Sequence, residues 1–199
     1  MRWFTKKGNT KVSRDQATPD RAAGSPGSVQ RYSHRLRDMA VFSMAGAMMF
    51  CSDLVMDALP NIHLIGMFTI LLTLIYRLRA LIPVYIYVML TALYYGFALP
   101  VVPYFYVWAV LWGMTMLLPR KIPDLAAAFV YPAVCSLHGL LFGTLCAPAQ
   151  ALLFGLNFRQ TIAWIVAGLP FDLIHAAGNL AAGLLVLPLY KILKKLNLQ

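Results

Sequence analysis

Six apolar runs follow one another from residue 39 to residue 190 with little chain between them. The hydrocarbon of a bilayer is about 30 Å thick and offers no water to backbone N–H and C=O groups, so runs of this length fold as spanning helices. Punctuation sets their limits. The runs are 39–59, ended by Pro60-Asn61; 62–78, closed by Arg77 and Arg79; 80–99, ended by Pro100; 103–118, closed by Pro119-Arg120-Lys121; 125–154; and 161–190, before Lys191. Composition agrees: 60% of the 199 residues are hydrophobic and 12% charged, where a soluble domain carries about 25% charge. The expected fold class is an all-α integral membrane protein, a six-transmembrane-helix bundle over 39–199 with both termini cytoplasmic (N-in/C-in).

Charge supplies the orientation. Nine of the 17 Lys and Arg lie in residues 1–38. Arg77 and Arg79, then Arg120 and Lys121, then Lys191, Lys194 and Lys195 follow at every second inter-helix position. With six helices these fall on one side, which the positive-inside rule makes the cytoplasm; five or seven helices would scatter them. Only Arg159 falls on the other side. Residues 1–38 lack the apolar core of a signal peptide and read as a basic, disordered cytoplasmic tail. Its basic character suits anionic headgroups, and without interleaved aromatics it gives no sign of nucleic-acid binding. The cysteines, Cys51, Cys135 and Cys146, form no C-x-x-C pair and read as small core residues rather than a disulfide framework or zinc site.

Polar groups inside the membrane need a reason. Helix direction gathers them toward the outer leaflet: Asp53 and Asp57 near the outer end of the first helix, Asp172, His175 and Asn179 in the outer half of the sixth, and Asn61, His63, Gln150, Asn157 and Arg159 in outer loops. Asp172, His175 and Asn179 are spaced i, i+3, i+7 and share one helical face. They are either a ligand-contacting stripe or hydrogen-bonding glue between helices, and Asp172 could instead cap a helix after Gly168-Leu169-Pro170. Asp53 and Asp57, at i and i+4, could capture a cationic group or an ion, or Asp57 could simply sit in water. Tyr104, Trp108 and Trp112 recur every four residues, as a wall for a planar ligand or as an interfacial belt with ordinary packing. His138, beside Gly139, lines a cavity floor or bonds a neighbouring carbonyl. Arg159 clamps an anionic group or is a solvated loop charge, and His63 reads as an interface residue. On the first helix Ser43 and Ala47 form a small-xxx-small pair, widened by Ala40 and Gly46, where another helix can approach, either in this chain or in a partner.

The run Gly168-Leu169-Pro170-Phe171-Asp172-Leu173-Ile174-His175-Ala176-Ala177-Gly178-Asn179, with Pro188-Leu189-Tyr190-Lys191 after it, resembles the last helix of the substrate-binding S components of energy-coupling factor (ECF) transporters. Leu59-Pro60-Asn61-Ile62-His63-Leu64-Ile65-Gly66 resembles their first outer turn and second helix. The resemblance covers 39–195 and implies a prokaryotic plasma-membrane protein that is not itself an enzyme and carries no cofactor. Such a subunit binds a vitamin or related small molecule from outside. It then docks on a membrane coupling subunit driven by two ABC-type ATPases, topples and releases the ligand inside. The resemblance puts the pocket in the outer parts of the last three helices and the outer loops. It puts docking on small residues of the first helix, often Ala-xxx-Ala, where this chain has Ala40 and Ser43-xxx-Ala47.

The chain has no Gly-rich phosphate loop with a lysine, so energy for active transport must come from partner ATPases or an ion gradient. A stand-alone secondary transporter or channel is the alternative, with Asp53 and Asp172 as ion sites, although no repeat relates helices one to three with four to six. An intramembrane hydrolase fits less well. The chain has no Glu, no His-Glu-x-x-His, and no Gly-x-Ser-Gly setting around Ser43, Ser52 or Ser136.

Overall fold

A computed structural model describes residues 26–59 and 61–197, all in helices, turns and short connections with no strand among them. The elements are α1 (Pro26–Met56), α2 (Ile65–Tyr76), a 3-10 turn (Arg77–Ala80), α3 (Leu81–Tyr95), a second 3-10 turn (Leu99–Val101), α4 (Tyr104–Met116), α5 (Asp124–Phe154), α6 (Phe158–Gly183) and α7 (Val186–Asn197). Among the described residues, five stretches are long and apolar enough to cross a membrane: Arg35–Met56, Ile65–Tyr95, Leu99–Met116, Asp124–Phe154 and Phe158–Leu196. The chain is thus an all-helical, multi-pass membrane protein.

Two compact units divide at Ala40/Val41. In the first, residues 26–40 are helical, so 26–38, expected in an unstructured tail, are the start of α1. Pro26 suits a helix start because its missing N–H has no helical partner there. The rest of the expected tail, 1–25, lies outside the described residues, as does Pro60.

The second unit is the bundle. Gly46 of α1 packs on Pro83 and Ile86 of α3, and Asp53 bonds Tyr87 of the same helix. These pairs advance together, so α1 and α3 run in the same direction. The chain returns between them through α2, whose last residue, Tyr76, meets Phe42 edge-on at 5.0 Å. The reversal after α2 is built on Arg77, which takes φ 54°. A positive φ is costly for a side chain with a Cβ. Here two bonds at 3.1 Å hold it: the Arg77 guanidinium donates to the Met116 carbonyl, and Trp112 Nε1 donates to the Arg77 carbonyl. The turn is thereby fastened to the C-terminal end of α4, close to Arg120, Lys121 and Lys194.

The closest helix pair is α5 with α6. A Cβ added to Gly183 would lie 2.6 Å from Cα of Pro132, and one on Gly139 would lie 3.0 Å from backbone atoms of His175 and Ala176. Close backbone approach at small residues is the usual basis of helix association in lipid, where burial alone gives little drive. Three bonds cross the seam: Ser136 Oγ to the Ala176 carbonyl at 3.0 Å, Asn179 Nδ2 to the Cys135 carbonyl at 3.2 Å, and Gly143 N–H to Asp172 Oδ1 at 2.9 Å. The helix end needs no aspartate cap. Helix α6 begins at Asn157, whose side chain and that of Gln160 satisfy each other's backbone N–H groups, and Asp172 is mid-helix. The expected sixth run divides at Leu184–Leu185, and α7 carries the chain past Lys191 as a second helix.

Candidate functional site

At the end of the bundle away from the Arg77 turn, the helices leave a cavity of about 470 Å³. This is within the range of small-molecule sites. Five helices of the second unit contribute, α1, α3, α4, α5 and α6, together with the connecting segments 57–63 and 98–101. Asp53 and Asp57 come from α1 and just after it, and Asn61 and His63 from the connection to α2. Thr91 and Tyr95 come from α3, Tyr104 from α4, Phe142 from α5 and His175 from α6. Asn61 turns the connection with φ 60°, a conformation asparagine tolerates better than most residues.

Against the cavity lies a cluster of rings centred on Trp108, which is 1% exposed. Its neighbours, by centroid distance, are His63 and His138 at 5.5 Å, Tyr104 at 5.8 Å, Phe142 at 5.9 Å and Tyr87 at 6.1 Å. His175 meets both His63 and Phe142 at 4.6 Å. His138 and Phe142 are four residues apart on α5, which puts them on the same face. Tyr87 donates its hydroxyl to Asp53 Oδ2 at 3.0 Å, joining the ring cluster to the cavity wall.

The cluster and the adjoining α5–α6 seam hold buried polar atoms with no partner among the described residues: His63 Nδ1, Trp108 Nε1, His138 Nδ1 and His175 Nε2 in the cluster, Asp172 Oδ2 and Asn179 Oδ1 in the seam. Native proteins satisfy nearly all such atoms, and the exceptions tend to mark functional positions. His138 does hold one bond, from Nε2 to the Val107 carbonyl at 3.1 Å. No group of three or more His, Cys, Asp or Glu among the described residues is placed to hold a metal ion.

The structure sorts the candidate residues. Asp53 and His175 line the cavity, while Trp108 and His138 stand in the ring cluster against it. Asp172 and Asn179 share a face with His175, but their hydrogen bonds go to α5, so they act as seam residues. Trp112 is committed to the Arg77 turn and Arg159 is exposed; neither lines the cavity. Ser43 and Ala47 are exposed in the second unit and Ala40 is exposed in the first, whereas Gly46 is buried against α3.

Sequence reasoning missed His63 as a site residue, along with Tyr87, Thr91 and Phe142. Phe142 had a signal, its i+4 spacing from His138. Tyr87 and His63 had none, because their partners come from distant parts of the chain. Burial, with His138 nearby as a lesser cause, pushes the His63 imidazole down to about 4, so it is neutral at pH 7. Between about pH 6.5 and 4 the unfolded chain then binds a proton at this residue that the folded chain does not, and stability falls as pH drops through that window. Thermal unfolding at pH 7 and pH 5 is expected to show that loss. His63→Asn, which does not titrate, is expected to shrink the difference.

Comparison with protein-family models, with curated proteins and with solved structures finds no match to this chain.

Proposed function

We propose that this chain is the substrate-capture subunit of an ECF-type micronutrient importer, taking a vitamin or related small molecule from outside into the cavity among Asp53, His63, Tyr104, Phe142 and His175. Delivery then requires a membrane coupling subunit and two ABC-type ATPases. The observation that carries this reading is the cavity itself: one concave polar and aromatic site, built from five helices of the bundle, at the end remote from the basic turn.

The same reading has six crossings with both ends in the cytoplasm. The reversal at Arg77–Ala80 supports counting Ile65–Tyr95 as two crossings. The gathering of Arg77, Arg120, Lys121 and Lys194 around one cleft supports assigning that end to the cytoplasm. The cavity then opens outward, as capture from outside needs.

The test is mass spectrometry of small molecules released from the purified, detergent-solubilised protein, repeated with His175→Ala. A stoichiometric metabolite retained by the parent protein and lost from the variant is the expected result. Equal retention by both would remove the cavity from the binding reaction. Uptake by the chain alone in vesicles, without ATPases, would replace the capture subunit with a stand-alone carrier.

A further inference from the structure

Among the described residues, the acids on the cavity wall are Asp53 and Asp57, and no lysine or arginine lines it. Arg159, the one basic residue that sequence places near this end, is exposed and outside the lining. His63 is neutral at pH 7 because of its burial. A carboxylate or phosphate entering here would meet like charge with no counter-charge, which is unfavourable where water is scarce. A cation would meet the opposite.

Tyr87 fixes one oxygen of Asp53 through its hydroxyl at 3.0 Å, and Tyr87 itself is locked in the core at 1% exposed. A carboxylate accepts about four hydrogen bonds, so Asp53 keeps capacity for a ligand donor. Tyr104 and Phe142 line the wall, and aromatic faces attract cations and stack on flat groups. His175 is 2% exposed, lines the same cavity and leaves Nε2 without a partner among the described residues. That nitrogen is a second polar contact, independent of the acids.

We propose that the ligand of this cavity is a small organic cation built on a planar ring, with its charge held by Asp53 and Asp57, its ring against Tyr104 and Phe142, and a polar group on His175. This rests on the capture reading above and narrows it to a charge class.

The test uses the full chain in detergent and reads thermal stabilisation by two ring scaffolds, each in three charge states. Tyramine, tyrosol and 4-hydroxyphenylacetate form one set; 1-methylnicotinamide, nicotinamide and nicotinate form the other. Stabilisation by a cationic member and not by its neutral or anionic counterparts is expected. Asp53→Asn or Asp57→Asn should raise the cation concentration needed for a given stabilisation about tenfold, the scale of one charge-assisted contact. Each variant is compared with its own ligand-free melting temperature, so that any change in the Tyr87–Asp53 bond is separated from the loss of ligand contact. Stabilisation by neutral or anionic members alone overturns the charge class and leaves the capture reading standing. Absence of stabilisation by either cation also overturns the charge class. The capture reading is judged apart, by the metabolite-release experiment, which does not depend on ligand charge.

Discussion

Replacing Gly183 with alanine is expected to destabilise the bundle by about 2–3 kcal/mol, the upper part of the range for overpacking a tight interior. The added Cβ would stand 2.6 Å from Cα of Pro132, 3.2 Å from its Cβ and 3.3 Å from Cβ of Cys135. None of these is the free end of a flexible side chain, so no rotamer change relieves the clash. Relief requires α5 and α6 to move apart. That movement would stretch the bonds from Gly143 to Asp172 and from Asn179 to Cys135, and it would open the close approach at Gly139. Gly168→Ala on the same helix is the control. A Cβ there meets nothing within 4 Å, and alanine is the better helix former by about 1 kcal/mol, so this variant should be neutral or more stable. Unfolding in mixed micelles with increasing denaturing detergent separates the two. Equal stabilities would mean that the α5–α6 seam does not depend on glycine at position 183.

The parts of this molecule that sequence shows are those carried by short-range pattern. The apolar run bounded by Pro119-Arg120-Lys121 locates α4 because lipid requires every backbone group to be bonded within the helix. The i, i+3, i+7 spacing of Asp172, His175 and Asn179 predicts one shared face, and all three are buried. Their division into one cavity residue and two seam residues depends on what α5 presents opposite each of them. Gly143 stands opposite Asp172, the Cys135 carbonyl takes Asn179, and Phe142 and His63 flank His175. Spacing along one helix holds no such information. Trp112 shows the same limit. It continues the Tyr104–Trp108 repeat, yet it stands about 12 Å beyond Tyr104 at about 1.5 Å per residue, at the opposite end of a short span, where its N–H serves the Arg77 turn. His63 reads from sequence as a polar residue near a helix end. Only the fold, by turning the chain at Asn61, brings it over Trp108.

On the capture-subunit reading proposed above, Ala47→Trp is expected to leave ligand binding intact and to reduce uptake by the assembled importer roughly 30-fold, the consequence of losing about 2 kcal/mol at the centre of an interface. Helix α1 has small residues on two faces. Gly46 faces inward, and a Cβ on it would meet Ile86 at 2.6 Å and the Pro83 carbonyl at 2.9 Å, so that face already serves packing within this chain. Ser43 and Ala47 are exposed, flanked by exposed Met44 and Met48. An indole at position 47 therefore has room in lipid around the lone subunit and should not disturb its fold or the cavity. It has no room if another helix must approach to backbone distance. Gly46→Leu is the opposite case: it should damage folding first and lower binding and uptake together. Measuring ligand affinity and ATP-driven uptake for both variants separates docking from folding. Normal uptake by Ala47→Trp would remove α1 from the docking face of the proposed importer, and its exposed small residues would then face only lipid.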